Sequence, residues 1–300
     1  MTLEVIKMST QQLGTVSRPA TKEGSSTHVK TLRIQRSTGW SSLNLRDLWE
    51  YRDLLVILAM RDVRLRYKQT ALGIIWVILQ PLLTALIFAT IFGRLANLPS
   101  DGAPYLLFAF AGMLPWSLFS QAIQRAGSSL VLDSRLISKV YFPRMILPVA
   151  SVLAVLVDTA VASIIMLALL VYYRMAFGWS LLAVPMLLGL TLLAAIGVSL
   201  WLSALNVQYR DFMYALPFII QIWMFASPVA YSTNLIPEQW NMLYAMNPMV
   251  GLIEGFRWAF LGQGAFSFVT IAPTVATSLL FFLTGAYIFR RVERNFADVI

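Results

Sequence analysis

Residues 61–88 read RDVRLRYKQTALGIIWVILQPLLTALIF. The first eight carry four cations, Arg61, Arg64, Arg66 and Lys68, and the apolar run that opens behind them continues to residue 92. About 20 residues rising 1.5 Å each cross the roughly 30 Å hydrocarbon layer of a bilayer. A basic segment abutting such a run therefore reads as a membrane span with its cationic flank among the headgroups.

Five similar stretches follow, so six spans are expected, at residues 72–92, 103–123, 145–173, 180–205, 212–231 and 269–289. The composition of the 300 residues agrees, with 58% apolar and 12% charged and a mean hydropathy of +0.71. Soluble domains hold about 45–50% apolar and about 25% charged residues. The expected fold is an all-α integral membrane protein. Gly112 and Pro115 interrupt the second stretch, and every span holds a proline: Pro81, Pro115, Pro148, Pro185, Pro217 with Pro228, and Pro273. Each removes a backbone donor and tends to kink its helix, which a bilayer tolerates where neighbours or water satisfy the freed carbonyl.

Upstream of the first span, Leu45, Leu48, Trp49, Leu55, Val56 and Ala59 recur near helical spacing among charged residues. That pattern predicts an amphipathic helix over 44–60 lying in the membrane interface. Residues 1–38 are mostly Ser, Thr, Gln, Gly and basic, and are expected to be a disordered tail without the apolar run of a signal peptide. Placed on six spans, fourteen Lys and Arg outside that tail fall on the side of the termini, against Arg94, Arg174 and Arg257 on the other. Both termini are thus expected to be cytoplasmic. The net charge of +9 then follows from topology and anionic lipid, and a nucleic-acid partner is not needed.

Several chemistries are excluded or disfavoured. The chain has no cysteine and one histidine, His28, in the polar tail. Thiolate, disulfide and cysteine–metal chemistry is impossible, histidine catalysis is not expected, and no metal site or bond chemistry is read. No Gly-Lys pair occurs, so the phosphate-binding loop G-x-x-x-x-G-K-[ST] is absent; ATP, if used, is bound with magnesium by a partner. Asp158 is the one ionisable group deep in a span. Ion-coupled transport would need it as a titrating site, usually with a paired or chained companion. A membrane-embedded transferase would need base residues that are missing.

The segment 124–144, QRAGSSLVLDSRLISKVYFPR, is a long loop whose residues 128–140 fit a short helix. Its Asp133, Arg135, Ser138 and Lys139 would face out beside Leu136, ready to dock in a cytoplasmic protein; an interfacial helix anchored by its basic residues fits equally. Arg61, Arg64, Arg66 and Lys68 could hold a diphosphate by charge-assisted hydrogen bonds, and a topology signal explains them as well. Residues 232–268 contain broken apolar pieces with Trp240, Tyr244, Asn247, Pro248 and Arg257, read as two re-entrant or surface-lying helices that cap an exit. Trp76, Gln80, Thr84 and Phe88 follow one face of span one at four-residue spacing. With Trp116 and Phe119 of span two and Phe218, Gln221 and Phe225 of span five, they mix aromatic and polar character as a carbohydrate path would. Lipid-facing belts account for individual aromatics too.

Residues 61–88 resemble the start of the membrane subunit of type-2 ABC transporters, specifically the bacterial polysaccharide-export permeases of the Wzm and TagG kind. GMLPW at 112–116, NVQYRDF at 206–212, Asn247-Pro248 with Arg257 after it, and the ending ERNFADVI are similar too. The resemblance covers about 39–300. It implies a homodimer of six-span subunits in the bacterial inner membrane, bound to two copies of a cytoplasmic ABC ATPase. The pair would export an undecaprenyl-diphosphate-linked glycan. On that pattern 44–60 is the interface helix, 128–140 the coupling helix, 61–68 the place where the diphosphate engages, and 232–268 the periplasmic gate. ATP-driven closure would push the coupling helix and widen a seam between two copies of spans one and five.

Overall fold

The computed structural model describes residues 45–68, 73–176, 178–209, 211–262 and 268–293. The tail at 1–38, Arg210, Arg294 and most of the terminal ERNFADVI lie outside the described residues. Those residues fold into α-helices in chain order: α1 (Leu45–Glu50), α2 (Arg52–Tyr67), α3 (Gly73–Phe88), α4 (Tyr105–Leu132), α5 (Ser134–Lys139), α6 (Ile146–Tyr172), α7 (Val184–Gln208), α8 (Phe212–Phe225), α9 (Asn241–Ala245), α10 (Pro248–Leu261) and α11 (Phe268–Glu293).

Among the described residues, five helical segments are long and apolar enough to cross a membrane: Ile75–Leu95, Tyr105–Leu132, Ile146–Tyr172, Trp179–Gln208 and Thr270–Glu293. The stretch 212–231 behaves differently. Its helix α8 stops at Phe225 after 14 residues, roughly 21 Å at helical rise and short of the hydrocarbon thickness. Ser227 precedes Pro228, which disfavours helical backbone at the residue before it. Pro228 therefore lies beyond the helix.

Two elements run longer than their patterns predicted. The interface helix does not end at 60: after a break at Tyr51, α2 continues through the basic cluster to Tyr67. The second span passes through Gly112 and Pro115 without ending and continues to Leu132. The expected helix over 128–140 is thus split, its first part completing α4 and its second forming the six-residue α5. The run QRAGSS is helical, with Ala126, Gly127 and Ser129 buried. Asn206 Nδ2 donates to the Gly127 carbonyl at 2.6 Å, and the Ser129 hydroxyl donates to Ala126 O at 2.8 Å.

Helix α4 lies at the centre, with 78% of its span window buried, whereas the first span has 6%. Leu107, Phe110, Leu118, Phe119 and Ile123 of α4 join Leu187, Ala194, Leu252 and Phe256 in the main apolar core. A second core, built on Leu58, Leu130, Ile146, Leu200 and Phe289, gathers α2 and the neighbouring ends of α4, α6, α7 and α11. Arg144 fixes that same end, its backbone N–H reaching Glu293 Oε1 at 3.1 Å and its Nη1 reaching Glu293 O at 3.2 Å. Helices α7 and α11 touch backbone to backbone: a Cβ on Gly285 would lie 2.1 Å from Gly197 O. Such small-residue contacts let membrane helices pack without side-chain spacers.

Candidate functional site

The four cations of 61–68 do not form one anion cradle. Arg64 and Lys68 are exposed, while Arg61 and Arg66 turn into the protein. Arg61 Nη2 donates to Asp133 Oδ2 at 2.7 Å and to Asp62 Oδ1 at 2.8 Å. Burial works against its charge, but the hydrogen bonds to Asp133 and Asp62 outweigh that and raise its pKa. Arg66 ion-pairs with Asp158 of α6, and its Nη2 donates to Gln121 Oε1 of α4 at 3.3 Å. Burial lowers the Arg66 pKa, and a guanidinium still stays charged near neutrality.

Asp158 is 6% exposed. Besides Arg66 it accepts the Tyr67 hydroxyl at 2.5 Å and lies 3.7 Å from Arg125. Arg125, counted in the sequence as a loop cation, is in α4 and donates to Gln121 Oε1 at 3.1 Å. A small cavity of about 70 Å³ adjoins this cluster, lined by Arg66, Gln80, Thr84, Ser117, Gln121 and Asp158 among others. Tyr67, Gln121 and Arg125 were absent from the expected site. The available signal was that a lone carboxylate at span depth requires partners.

The coupling candidate α5 begins after Asp133, which does not face out as expected but turns in to pair with Arg61; the helix presents Arg135, Ser138 and Lys139 to the outside and half-buries Leu136 and Ile137 against the second core. On the expected path, Trp76, Gln80, Phe218, Gln221 and Phe225 are exposed, and Thr84 and Phe88 are half-buried. Trp116 and Phe119 are enclosed within the chain at 4% and 0% exposure. Phe119 packs edge-on to Trp223 with ring centroids 5.0 Å apart. The fold therefore brings α3 and α8 residues to its surface and takes both α4 aromatics inside.

At the opposite end, Asn247 caps α10. Its Oδ1 accepts from Met249 N at 3.0 Å and Pro248 takes the first helical turn, where a missing N–H is harmless. Trp223 Nε1 also donates to Asn247 Oδ1 at 3.1 Å, while Asn247 Nδ2 donates to Ser227 Oγ at 2.9 Å. The NP pair thus joins α8 to α10. Arg257 is 2% exposed and donates to Val229 O at 3.0 Å, Tyr231 O at 3.1 Å and Glu254 Oε1 at 3.2 Å. Its guanidinium carbon stands 3.6 Å from the Phe108 ring centroid, a cation–π contact. Arg257 was legible as a charged residue in an apolar segment; its enclosure by Glu254, two carbonyls and the Phe108 ring of α4 was not. Tyr244 shares a hydrogen bond with Tyr231 at 2.9 Å, and burial raises its phenol pKa. With Trp240, Trp223 and Phe281 it lines an open groove of about 540 Å³. No group of three or more His, Cys, Asp or Glu able to hold a metal occurs among the described residues.

Residues 53–261 match the family described as ABC-2 type transporter. The chain is 29% identical over 259 residues to the O-antigen export system permease protein RfbA of Myxococcus xanthus, covering 85% of this chain and 98% of that protein. It is 26% identical over 250 residues to the protein of the same name in Klebsiella pneumoniae, covering 83% and 95%. To the polysialic acid transport protein KpsM of Escherichia coli it is 23% identical over 207 residues, 67% and 79% of the two chains. Matched across most of its helical body and carrying five segments able to cross a bilayer, this chain is a multi-pass membrane protein of the ABC-2 type transporter family.

Proposed function

We propose that this chain is the permease subunit of an ATP-driven exporter that moves lipid-linked polysaccharide across the bacterial inner membrane. The single observation that carries this reading is the agreement, over nearly their whole length, with permeases named for O-antigen export. The working unit is a homodimer with two cytoplasmic ATPase subunits, which hold the ATP and magnesium. The end carrying α2, α5 and the C-terminal turn of α11 faces the cytoplasm, so α8 together with the turn after it serves as the sixth crossing.

The roles divide by exposure. Arg135, Ser138 and Lys139 on α5 receive the ATPase, and the exposed cations Arg64 and Lys68 hold the substrate diphosphate at the inner headgroups. Exposed residues of α3 and α8, Trp76, Gln80, Phe218, Gln221 and Phe225, line the seam between two copies. Helices α9 and α10 with Arg257 form the outer gate. Asp158 serves as a structural counter-ion, because Arg66 and Arg125 both ion-pair with it. A titrating carboxylate for ion-coupled transport needs an open route, and this one is 6% exposed.

The test is Arg135→Glu with Lys139→Glu. Reversing both exposed charges is expected to abolish ATP-dependent export while membrane insertion stays normal. Export at the unsubstituted rate would remove α5 as the ATPase contact.

A further inference from the structure

Helix α5 is six residues long and half-buries two apolar side chains, too little packing to drive a membrane helix by contact alone. Helix α4, from which it emerges, is the most enclosed of the spans, with 78% of its window buried, and a close-packed helix resists displacement. One strong contact leads elsewhere. Asp133, at the joint between α4 and α5, accepts from Arg61 of α2 at 2.7 Å. The same arginine holds Asp62, whose other oxygen accepts from Ser151 of α6 at 3.1 Å. About one turn further along α2, Arg66 is fixed to Asp158 and Gln121. The next helix is α3, in the span with 6% of its window buried.

We propose that the Arg61–Asp133 ion pair is the strut that carries displacement of α5 into α2, which turns about the Arg66–Asp158 anchor and moves α3. This rests on the reading that α5 receives an ATPase. Arg61 and Asp133 are positioning residues: they touch no substrate, and they decide whether hydrolysis becomes movement of span one. The strut stays closed through the cycle, since an ion pair that opened at each stroke would transmit nothing.

The chain has no cysteine, so Arg61→Cys with Asp133→Cys introduces the only two thiols in this chain. In proteoliposomes with the ATPase partner, the reduced double variant is expected to capture the ATPase and support hydrolysis at the unsubstituted rate. Its export should fall about tenfold, within the range of coupling effects. Bridging the thiols with a short bis-methanethiosulfonate reagent should restore export, and reductant should abolish it again. Unchanged export in the reduced form, or no recovery on bridging, overturns the strut. Should the double cysteine variant not assemble, the exchange Arg61→Asp with Asp133→Arg decides: each single change is expected to lose export and the exchange to regain it. An exchange no better than the single changes overturns the proposal. Failure of the unsubstituted chain to export with the ATPase and ATP would instead overturn the proposed function, and the strut with it.

Discussion

Arg257 has three hydrogen-bond acceptors and an aromatic face around one guanidinium. Removing one partner of a buried ion pair leaves an uncompensated charge, at a cost of about 3–5 kcal/mol. Arg257→Ala is therefore expected to strand Glu254 and two carbonyls, lowering the midpoint of thermal unfolding in detergent and the yield of monodisperse protein. A yield and midpoint equal to the unsubstituted chain would show that the cluster contributes little. Asp158→Asn tests a different question. It should cost about 1.5–3 kcal/mol through weakened charged hydrogen bonds and slow export by loosening the hold on Arg66, while the export that remains stays ATP-driven and insensitive to ionophores. Export that ionophores collapse in the unsubstituted chain would favour the ion-coupled alternative. Charged residues in spans were legible as points of interest, but their partners were not. Arg66 and Asp158 are 92 positions apart in the chain, and nothing local in either segment states that they meet.

Helices were legible where hydropathy alone decides. The first four spans and the last follow from apolar length, and their cores fall within the expected stretches. Misreadings arose where tertiary packing overrides local composition. Gly127, Ser128 and Ser129 look like loop residues, yet a Cβ at Gly127 would lie 3.1 Å from Leu216 Cδ2, so small size there admits α8. The same reasoning yields a prediction for α7 and α11. Gly285→Ala places a methyl 2.1 Å from Gly197 O, and forcing atoms into a packed interface costs about 1–3 kcal/mol. Gly189→Ala, inside α7, meets nothing within 4 Å and should hold or raise the unfolding midpoint, because Ala is the better helix former. Equal midpoints for the two variants would contradict the close approach.

Burial is uneven across the spans, from 78% of the window in α4 to 6% in the first span, and the proposed seam between copies falls on the exposed faces of α3 and α8. Trp76 and Phe218 are 55% and 66% exposed, on α3 and α8. In the cysteine-free background, Trp76→Cys and Phe218→Cys are expected to give crosslinked dimers in membranes. Ile164→Cys, also 66% exposed but on α6, should remain monomeric; the reverse pattern would move the dimer seam to α6. The most direct measurement is reconstitution of the purified chain in liposomes, with and without its ATPase, supplied with a lipid-linked glycan. The expected result is glycan translocation that requires both the ATPase and hydrolysable ATP, and none from the chain alone under any ion gradient. Uphill transport by the chain alone, driven by such a gradient, would contradict it.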